Sequence, residues 1–202
     1  TSISRFNVEK IDYVIPQEPK MFDKILRLSK WKGSFDWFKH SNNVKKNASY
    51  VVVGRRFRPN SKNTHHFAFF SKNKVLAPDT FKILDFGNKD DAMYQTLILN
   101  SSITLANIVL FREQTTGGFT DIMESELVSF DIFNLKNLNI KQKEKLKKLF
   151  MRLSDEKFPS IMEQYVTNHK NRRDLDVTIL EILGLDSSKI NKFLDKLYPA
   201  IF

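Results

Sequence analysis

The chain has 202 residues, of which 41% are hydrophobic and 12% aromatic, so a single sizeable packed core is expected rather than disorder. It contains no cysteine, which excludes a disulfide framework and any thiolate metal site. No apolar run has the length needed to cross a bilayer, and residues 1–6 lack a signal-peptide layout, so we expect a soluble, intracellular protein.

The net charge of +10 is placed unevenly along the chain. Residues 1–80 carry 16 Lys and Arg against six Asp and Glu, whereas residues 81–202 carry 17 of each class. Residues 37–78 hold nine of the cations and no acid. An ordinary solvated surface mixes both signs, so this acid-free stretch favours a phosphate-binding face. The lack of a basic amphipathic helix in it favours nucleic acid over a membrane as the partner.

The first 36 residues predict a connector. Residues 1–20 have an extended pattern with Pro16 and Pro19, and residues 20–32 have apolar positions at helical spacing. Gly33 is expected to end that helix.

Residues 48–84 change to period-two alternation and predict three or four strands, mainly antiparallel. Arg55, Arg56 and Arg58 follow the first strand, so their guanidinium groups are expected to project from a sheet edge. His65 and His66 have no third ligand at metal spacing, and polar-loop or phosphate contacts are the better interpretation. Phe67 and Phe69 are expected on one face, in the core, with Phe70 on the other.

The remainder of the chain predicts helices. Asp90-Asp91 are expected to cap a helix through Leu99, and a more apolar, buried helix should run from about Ser101 to Phe111. Four further helices are predicted in the last third: Lys141 to Leu153, Lys157 to Val166 with Pro159 in its first turn, one around Leu175, Ile179, Ile182 and Leu183 that ends at Gly184, and one capped by Asp186-Ser187 with Ile190, Phe193, Leu194 and Leu197 inward. Asp174 and Asp176 are expected at a helix start, in capping roles.

These elements predict an α+β protein: a small, curved, mainly antiparallel sheet with supporting helices, and an all-helical C-terminal extension. The predicted division is a connector over 1–36, a strand-bearing basic domain over 37–137 and the extension over 138–202.

No catalytic constellation is evident in the sequence. The glycine-rich nucleotide loops, the His-Glu-x-x-His zinc motif and the Gly-x-Ser-x-Gly elbow are all missing. For a metal-dependent nuclease the nearest approach is Asp121 with Glu124 and Glu126, and no lysine stands where one is needed. The chain is therefore interpreted as a binding protein.

Three stretches, taken in order, resemble the C-terminal target-recognition region of adenine-specific DNA methyltransferases of restriction–modification systems. They are His66-Phe67-Ala68-Phe69-Phe70 through Lys74 to Phe81, then Leu97-Ile98-Leu99-Asn100-Ser101-Ser102 to Gly117-Gly118 and Glu126-Leu127, then Arg172-Arg173-Asp174-Leu175-Asp176 to Leu183-Gly184-Leu185. The third is similar to an Arg-x-Glu-Leu-Asp…Leu-Gly-Leu ending, with Asp174 in place of the usual Glu. The resemblance covers roughly residues 48–202.

The resemblance implies recognition of a specific sequence in double-stranded DNA, in a cytoplasmic, prokaryotic setting. The family's Asn/Asp-Pro-Pro-Tyr catalytic motif and its S-adenosylmethionine motif are missing from this sequence. It thus implies a catalytic methyltransferase domain or subunit as partner, with S-adenosylmethionine bound there and no cofactor in this chain.

Under this interpretation the site residues divide by chemistry. Phosphates would be held by Lys45, Lys46, Lys62, Lys72 and Lys74, and base edges read by Arg55, Arg56 and Arg58. Adenine reading or further phosphate contacts would come from Asn60, Asn63 and His65. Arg112, Thr116, Gly117 and Gly118 would bring backbone amides near DNA or shape the fold.

Three alternatives remain open at the level of sequence. One is a specificity subunit of a multi-subunit restriction system, although such subunits usually carry two recognition domains. Another is a nuclease with an unrecognised metal site. The third is an RNA-binding module, which exposed Phe67, Phe69 and Phe70 would favour.

Overall fold

The structure is a computed structural model that describes residues 5–6, 47–75, 77, 81–111, 120–122 and 134–201. The predicted connector helix of residues 20–32 and the Gly117-Gly118 turn lie outside the described residues.

The sheet has three antiparallel strands, with the first strand in the centre. β1 (Ser49–Gly54) pairs with β3 (Ala68–Val75) on one side and with β4 (Phe81–Leu84) on the other. Two short strands, β2 (Arg56–Phe57) and β5 (Thr120–Asp121), form a separate antiparallel ribbon. The β-branched residues Val51, Val52 and Val53 form the buried centre of β1, as expected for a strand that is covered on both faces.

The two faces of this sheet bury different sets of side chains. Val51, Val53 and Phe70 face the main core, whereas Val52 and Phe69 belong to a smaller apolar cluster on the opposite face. Successive residues of a strand alternate between faces, so both faces must be covered for such an apolar strand to be stable.

Six helices and one short 3-10 turn complete the described part of the chain. They are α1 (Lys89–Leu99), α2 (Ser102–Phe111), the 3-10 turn Leu135–Asn137, α3 (Ile140–Leu153), α4 (Ile161–Val166), α5 (Lys170–Ile182) and α6 (Ser187–Ile201). None of the described helices is long and apolar enough to cross a membrane.

One core joins the sheet to the C-terminal helices. Phe150 of α3 lies 5.0 Å from the Phe70 ring of β3 and 5.6 Å from the Phe6 ring, and all three side chains are buried. The Phe6 carbonyl also accepts a hydrogen bond from the Phe70 amide at 2.7 Å. The helical extension therefore completes the hydrophobic core that the sheet begins.

The predicted fold class, α+β with a small antiparallel sheet and a helical C-terminal extension, is confirmed. The predicted helices at Lys141–Leu153 and after Asp186 are also present, and the first of them carries a reciprocal capping box between Asn139 and Gln142.

Several local predictions are wrong. Asn88, rather than Asp90-Asp91, caps α1, because its side chain accepts the Asp91 amide. α4 begins at Ile161 after the cap Ser160, so Pro159 lies outside it. Gly184 does end α5, with a φ of +84°, but Leu183 is 45% exposed; Phe193, expected inward, is 39% exposed. Helical periodicity identifies the apolar face of a helix, but it does not show how much of that face the neighbouring elements cover.

Candidate nucleic-acid interface

The segment between β2 and β3, residues 58–66 (the 58–66 loop), is anchored at intervals along its length. Pro59, Thr64 and His66 are buried. Two successive turns are closed by backbone hydrogen bonds. The Ser61 amide donates to the Arg58 carbonyl at 3.0 Å, and the Thr64 amide donates to the Ser61 carbonyl at 3.1 Å. The side chains exposed to solvent are four of the predicted contacts: Arg58, Asn60, Lys62 and Asn63.

The arginine pair that precedes this loop shares one carboxylate. Asp121 of β5 accepts from Arg55 Nε at 3.2 Å and from Arg56 Nε and Nη2 at 3.2 and 2.8 Å. The Asp121 side chain is only 10% exposed, whereas that of Arg56 is 57% exposed. Hydrogen bonding from Arg56 and the charges of both arginines lower the pKa of Asp121 despite its burial, so the carboxylate is ionised at neutral pH.

The backbone explains why these three residues meet. β2 and β5 pair Arg56 with Asp121, and the Ile122 amide donates to the Arg55 carbonyl at 2.8 Å. The ribbon brings the acid across from a position 65 residues further along the chain. The sequence predicts that these guanidinium groups project from a sheet edge. In the structure Arg56 lies on β2 of the short ribbon with its side chain 57% exposed, and Asp121 binds both guanidinium groups.

Asp121 was also the nearest candidate for a nuclease metal ligand. In the structure it is an ion-pair partner of two arginines, and Glu124 and Glu126 lie outside the described residues. No group of three or more potential metal ligands occurs in the described ranges.

A second cationic group lies on β3 at an irregularity in the sheet. Val51 pairs with Phe70 but Ser49 pairs with Val75, so β3 contains three more residues than β1 between these pairs. Lys72 and Lys74 lie in this insertion and are exposed, and Lys74 Nζ lies 5.6 Å from the Tyr50 ring centroid. A bulge of this kind turns side chains away from the sheet plane.

The predicted DNA-binding residues thus divide into two groups at opposite ends of β1. The arginine pair and the 58–66 loop adjoin Gly54, whereas Lys72 and Lys74 adjoin Ser49. A strand of this length separates its ends by roughly 17 Å. Lys45, Lys46, Arg112, Thr116, Gly117 and Gly118 lie outside the described residues.

The two histidines have different environments. The His65 ring donates from Nδ1 to the Phe158 carbonyl at 2.9 Å, which requires the proton on Nδ1. His66 is buried in an aromatic cluster, with ring centroids 4.7 Å from Phe158 and 5.4 Å from Phe6. The expectation of a polar or phosphate-contacting position is wrong for His66.

The three phenylalanines after the histidines are all buried, so the exposed stacking platform that would favour RNA is not formed by them. The prediction that Phe67 and Phe69 share a face is wrong. Phe67 precedes β3 and stacks on Phe57 at 5.7 Å in the main core, whereas Phe69 belongs to the smaller cluster.

A buried polar network lies behind the loop and joins two of the motifs that carry the family resemblance. Arg172, 2% exposed, donates through Nη1 to the Asn100 carbonyl and through Nε and Nη2 to Gln164 Oε1 at 3.0 and 2.7 Å. Asp176 accepts from the Ser102 amide at 2.7 Å, from the Ser102 hydroxyl, and from the Tyr198 hydroxyl at 2.8 Å. The Asn-Ser-Ser and Arg-x-Asp-x-Asp stretches are thus in direct contact.

This network corrects the role expected for Asp176. It lies in the middle of α5 and accepts the first amide of α2, so it caps a different helix from its own. Asp174 pairs with Arg152 at 2.8 Å. Burial raises the pKa of Asp176 and raises that of Tyr165 to about 12. Sequence reasoning missed the network, although an Arg and an Asp four residues apart on an otherwise apolar helix face are a signal for it.

Comparisons with protein-family models, with curated protein sequences and with solved structures give no match for this chain. The likeness to methyltransferase target-recognition regions accordingly stays a prediction carried by the quoted motifs.

Proposed function

We propose that this chain recognises a specific sequence in double-stranded DNA, as the target-recognition part of an adenine-specific DNA methyltransferase or restriction–modification enzyme. The catalytic, S-adenosylmethionine-binding part would be a separate domain or subunit. Such a protein acts on cellular DNA, which places it in the cytoplasm of a prokaryote.

The observation that carries the proposal is the pair Arg55 and Arg56 on a single carboxylate. A guanidinium group reads guanine by donating two parallel hydrogen bonds to O6 and N7, and this requires a fixed plane. Asp121 holds both groups from one side, so little side-chain freedom remains to be lost when a base edge is bound. Arg56, which is the more exposed of the two, is the stronger candidate for a base contact.

The surroundings of the pair support the same function. The 58–66 loop begins two residues after Arg56 and exposes two cations and two amide side chains. Lysines hold phosphates as point charges, and asparagine can bond N6 and N7 of adenine. Lys72 and Lys74, at the other end of β1, would contact phosphates further along the duplex.

The proposal is tested by selecting bound duplexes from a randomised pool at two salt concentrations and sequencing them. Enrichment of one short motif that persists at higher salt supports it. Binding that weakens steeply with salt and enriches nothing contradicts it, because phosphate contacts alone give that behaviour. The same assay with magnesium present detects cleavage, which would favour the nuclease alternative.

Substitutions of single arginines then assign the base contacts. Arg55→Ala and Arg56→Ala are each expected to weaken binding to the selected motif by about 1–3 kcal/mol, with a smaller loss on random duplex. Arg152→Ala is the matched control, because Arg152 is 48% exposed and donates to Asp174 at 2.8 Å, much as Arg56 donates to Asp121. Equal losses on both duplexes would leave Arg55 and Arg56 as phosphate contacts.

A further inference from the structure

The second half of the 58–66 loop is bound to the helical extension. The Thr64 carbonyl accepts from the Ile161 amide at 2.7 Å, and the His65 carbonyl accepts from Gln164 Nε2 at 2.9 Å. The His65 ring adds the bond to the Phe158 carbonyl at 2.9 Å. These partners lie 93 to 99 residues away from His65 in sequence. The 58–66 loop, which carries the exposed candidate DNA-binding side chains, is therefore attached to the start of α4.

Gln164 is the centre of this attachment. Its side chain is inaccessible to solvent and uses both ends of the amide: Nε2 donates to the His65 and Pro159 carbonyls, and Oε1 accepts from two nitrogens of Arg172. Arg172 is in turn bonded to the Asn100 carbonyl.

The Asn100 side chain extends the chain of hydrogen bonds to the sheet. Its Oδ1 accepts from the Phe67 and Ala68 amides, and its Nδ2 donates to the Ala68 carbonyl at 2.7 Å. Four of the five residues from Thr64 to Ala68 thus have a backbone carbonyl or amide bound by another element, and the fifth, His66, is packed among aromatic rings.

We propose that Gln164 is a positioning residue for DNA recognition: by holding the His65 carbonyl it sets where the exposed side chains of the 58–66 loop lie relative to Arg55 and Arg56. This inference rests on the proposed function. Gln164 is buried and does not touch DNA. It acts through the loop backbone, and its bonds to Arg172 connect that backbone to α5.

The physical basis is the geometric demand of base reading. Hydrogen bonds weaken steeply with misalignment, so side chains on a loop discriminate between bases only when the loop backbone is held in place. Contacts to phosphate by long, flexible cations tolerate such movement. Loosening the loop should therefore reduce discrimination between sequences more than it reduces binding to random DNA.

Gln164→Glu separates the two functions of this side chain. A carboxylate still accepts from Arg172, but it has no proton to donate to the His65 and Pro159 carbonyls. The wild-type chain and the variant are titrated with a duplex that contains the motif enriched by the wild type and with a random duplex. We expect the ratio of the two affinities to fall by about tenfold, which corresponds to two lost hydrogen bonds, while binding to random duplex changes less than about twofold.

Two further variants separate positioning from a general loss of stability. Tyr198→Phe removes a different hydrogen bond of the buried polar network, the one to Asp176; it should leave the affinity ratio unchanged. Gln164→Met is neutral and similar in volume, so it replaces Gln164→Glu if the charged variant does not fold.

Amide hydrogen exchange gives a readout without DNA: residues 60–66 should exchange at least about tenfold faster in either Gln164 variant, with β1 unchanged.

Each outcome decides the matter. A reduced affinity ratio with faster exchange in the loop supports the proposal. An unchanged ratio in a folded Gln164 variant overturns it and leaves the proposed function intact. A wild-type chain that enriches no motif overturns both, and failure of both Gln164 variants to fold would assign Gln164 to the core alone.

Discussion

Asp176 caps a helix that begins 74 residues earlier in the chain, by accepting the Ser102 amide at 2.7 Å. The same carboxylate accepts hydrogen bonds from the hydroxyls of Ser102 and Tyr198. Tyr165 bonds the Ser102 hydroxyl at 2.8 Å and lies 4.9 Å from the Tyr198 ring. Asp176 on α5 is therefore linked to α2 and α6 directly and to α4 through the Ser102 hydroxyl, so we expect its removal to destabilise the packing of all four helices.

Asp176→Ala is expected to lower the free energy of unfolding by about 3 kcal/mol, because it leaves a buried amide and two hydroxyls without their acceptor. Asp176→Asn should cost less, since the amide oxygen can still accept from Ser102 and the hydroxyls can turn to accept from its nitrogen. Urea denaturation measures both values. Equal losses for the two variants would mean that the charge, and not the hydrogen bonding, is what the site requires.

The stability difference between wild type and Asp176→Asn should depend on pH in a defined direction. Burial raises the pKa of Asp176 above its usual 3.8, so the folded state holds this proton more tightly than the unfolded state does. The resulting stabilisation is fully present below pH 3.8 and is lost as pH rises through the folded-state pKa. The advantage of wild type over Asp176→Asn should therefore shrink from acidic to neutral pH. A growing advantage would contradict the assignment.

Asp121→Asn tests the arginine pair without DNA. The variant is expected to lose about 1 kcal/mol of stability at neutral pH, a modest value because Arg56 is half exposed. The pKa of Asp121 is lowered, so its contribution is present above pH 3.8 and disappears as pH falls through the folded-state pKa. Denaturation of both proteins at several pH values should show the difference vanishing in acid. A difference that is independent of pH would contradict the ion pairing.

His169 introduces a third pH-dependent contribution. It stands at the N-cap of α5 without a side-chain capping bond, and in the described structure its buried Nδ1 has no hydrogen-bond partner. Burial and the charge of Arg172 lower its pKa below the usual 6.5. Stability from the neutral ring is complete above pH 6.5 and is lost as pH falls below it.

His169→Asn removes this titration and supplies a side-chain acceptor for the first turn of α5. We expect the variant to match or exceed wild type by up to about 1 kcal/mol at neutral pH, and its relative stability to improve between pH 6.5 and pH 5. Thermal denaturation over this range measures the trend. A relative stability that does not change with pH would show that His169 titrates normally.

Phe150→Ala tests whether the helical extension and the sheet share one core. Its ring is buried against Phe6 and Phe70, so truncation is expected to cost about 3–5 kcal/mol and to unfold sheet and helices in a single transition. Phe193→Ala, at a 39% exposed position, is the matched control and should cost less than about 1.5 kcal/mol. Two separate transitions, with the sheet unaffected, would contradict a shared core.

The local pattern was sufficient for most elements. Period-two alternation over residues 48–84 predicted three or four strands, and four form there, β1 to β4. The i, i+3, i+4, i+7 spacing of Leu146, Leu149, Phe150 and Leu153 predicted α3 to within one residue. These elements follow from side-chain periodicity, which is a property of neighbouring residues. The starts of α1 and α4 were predicted less accurately, because the residues that cap them, Asn88 and Ser160, lie two and three residues from the predicted starts.

Sequence by itself determined the α+β class, the helical C-terminal third and the concentration of positive charge in the first two-fifths of the chain. Only the tertiary structure decided that Asp121 holds Arg55 and Arg56, and that Gln164, Arg172 and Asp176 join the loop to the helices. The physical reason is the range of the interactions: periodicity and composition act between near neighbours, whereas these polar contacts join residues 65 to 99 positions apart and exist only after the core has packed.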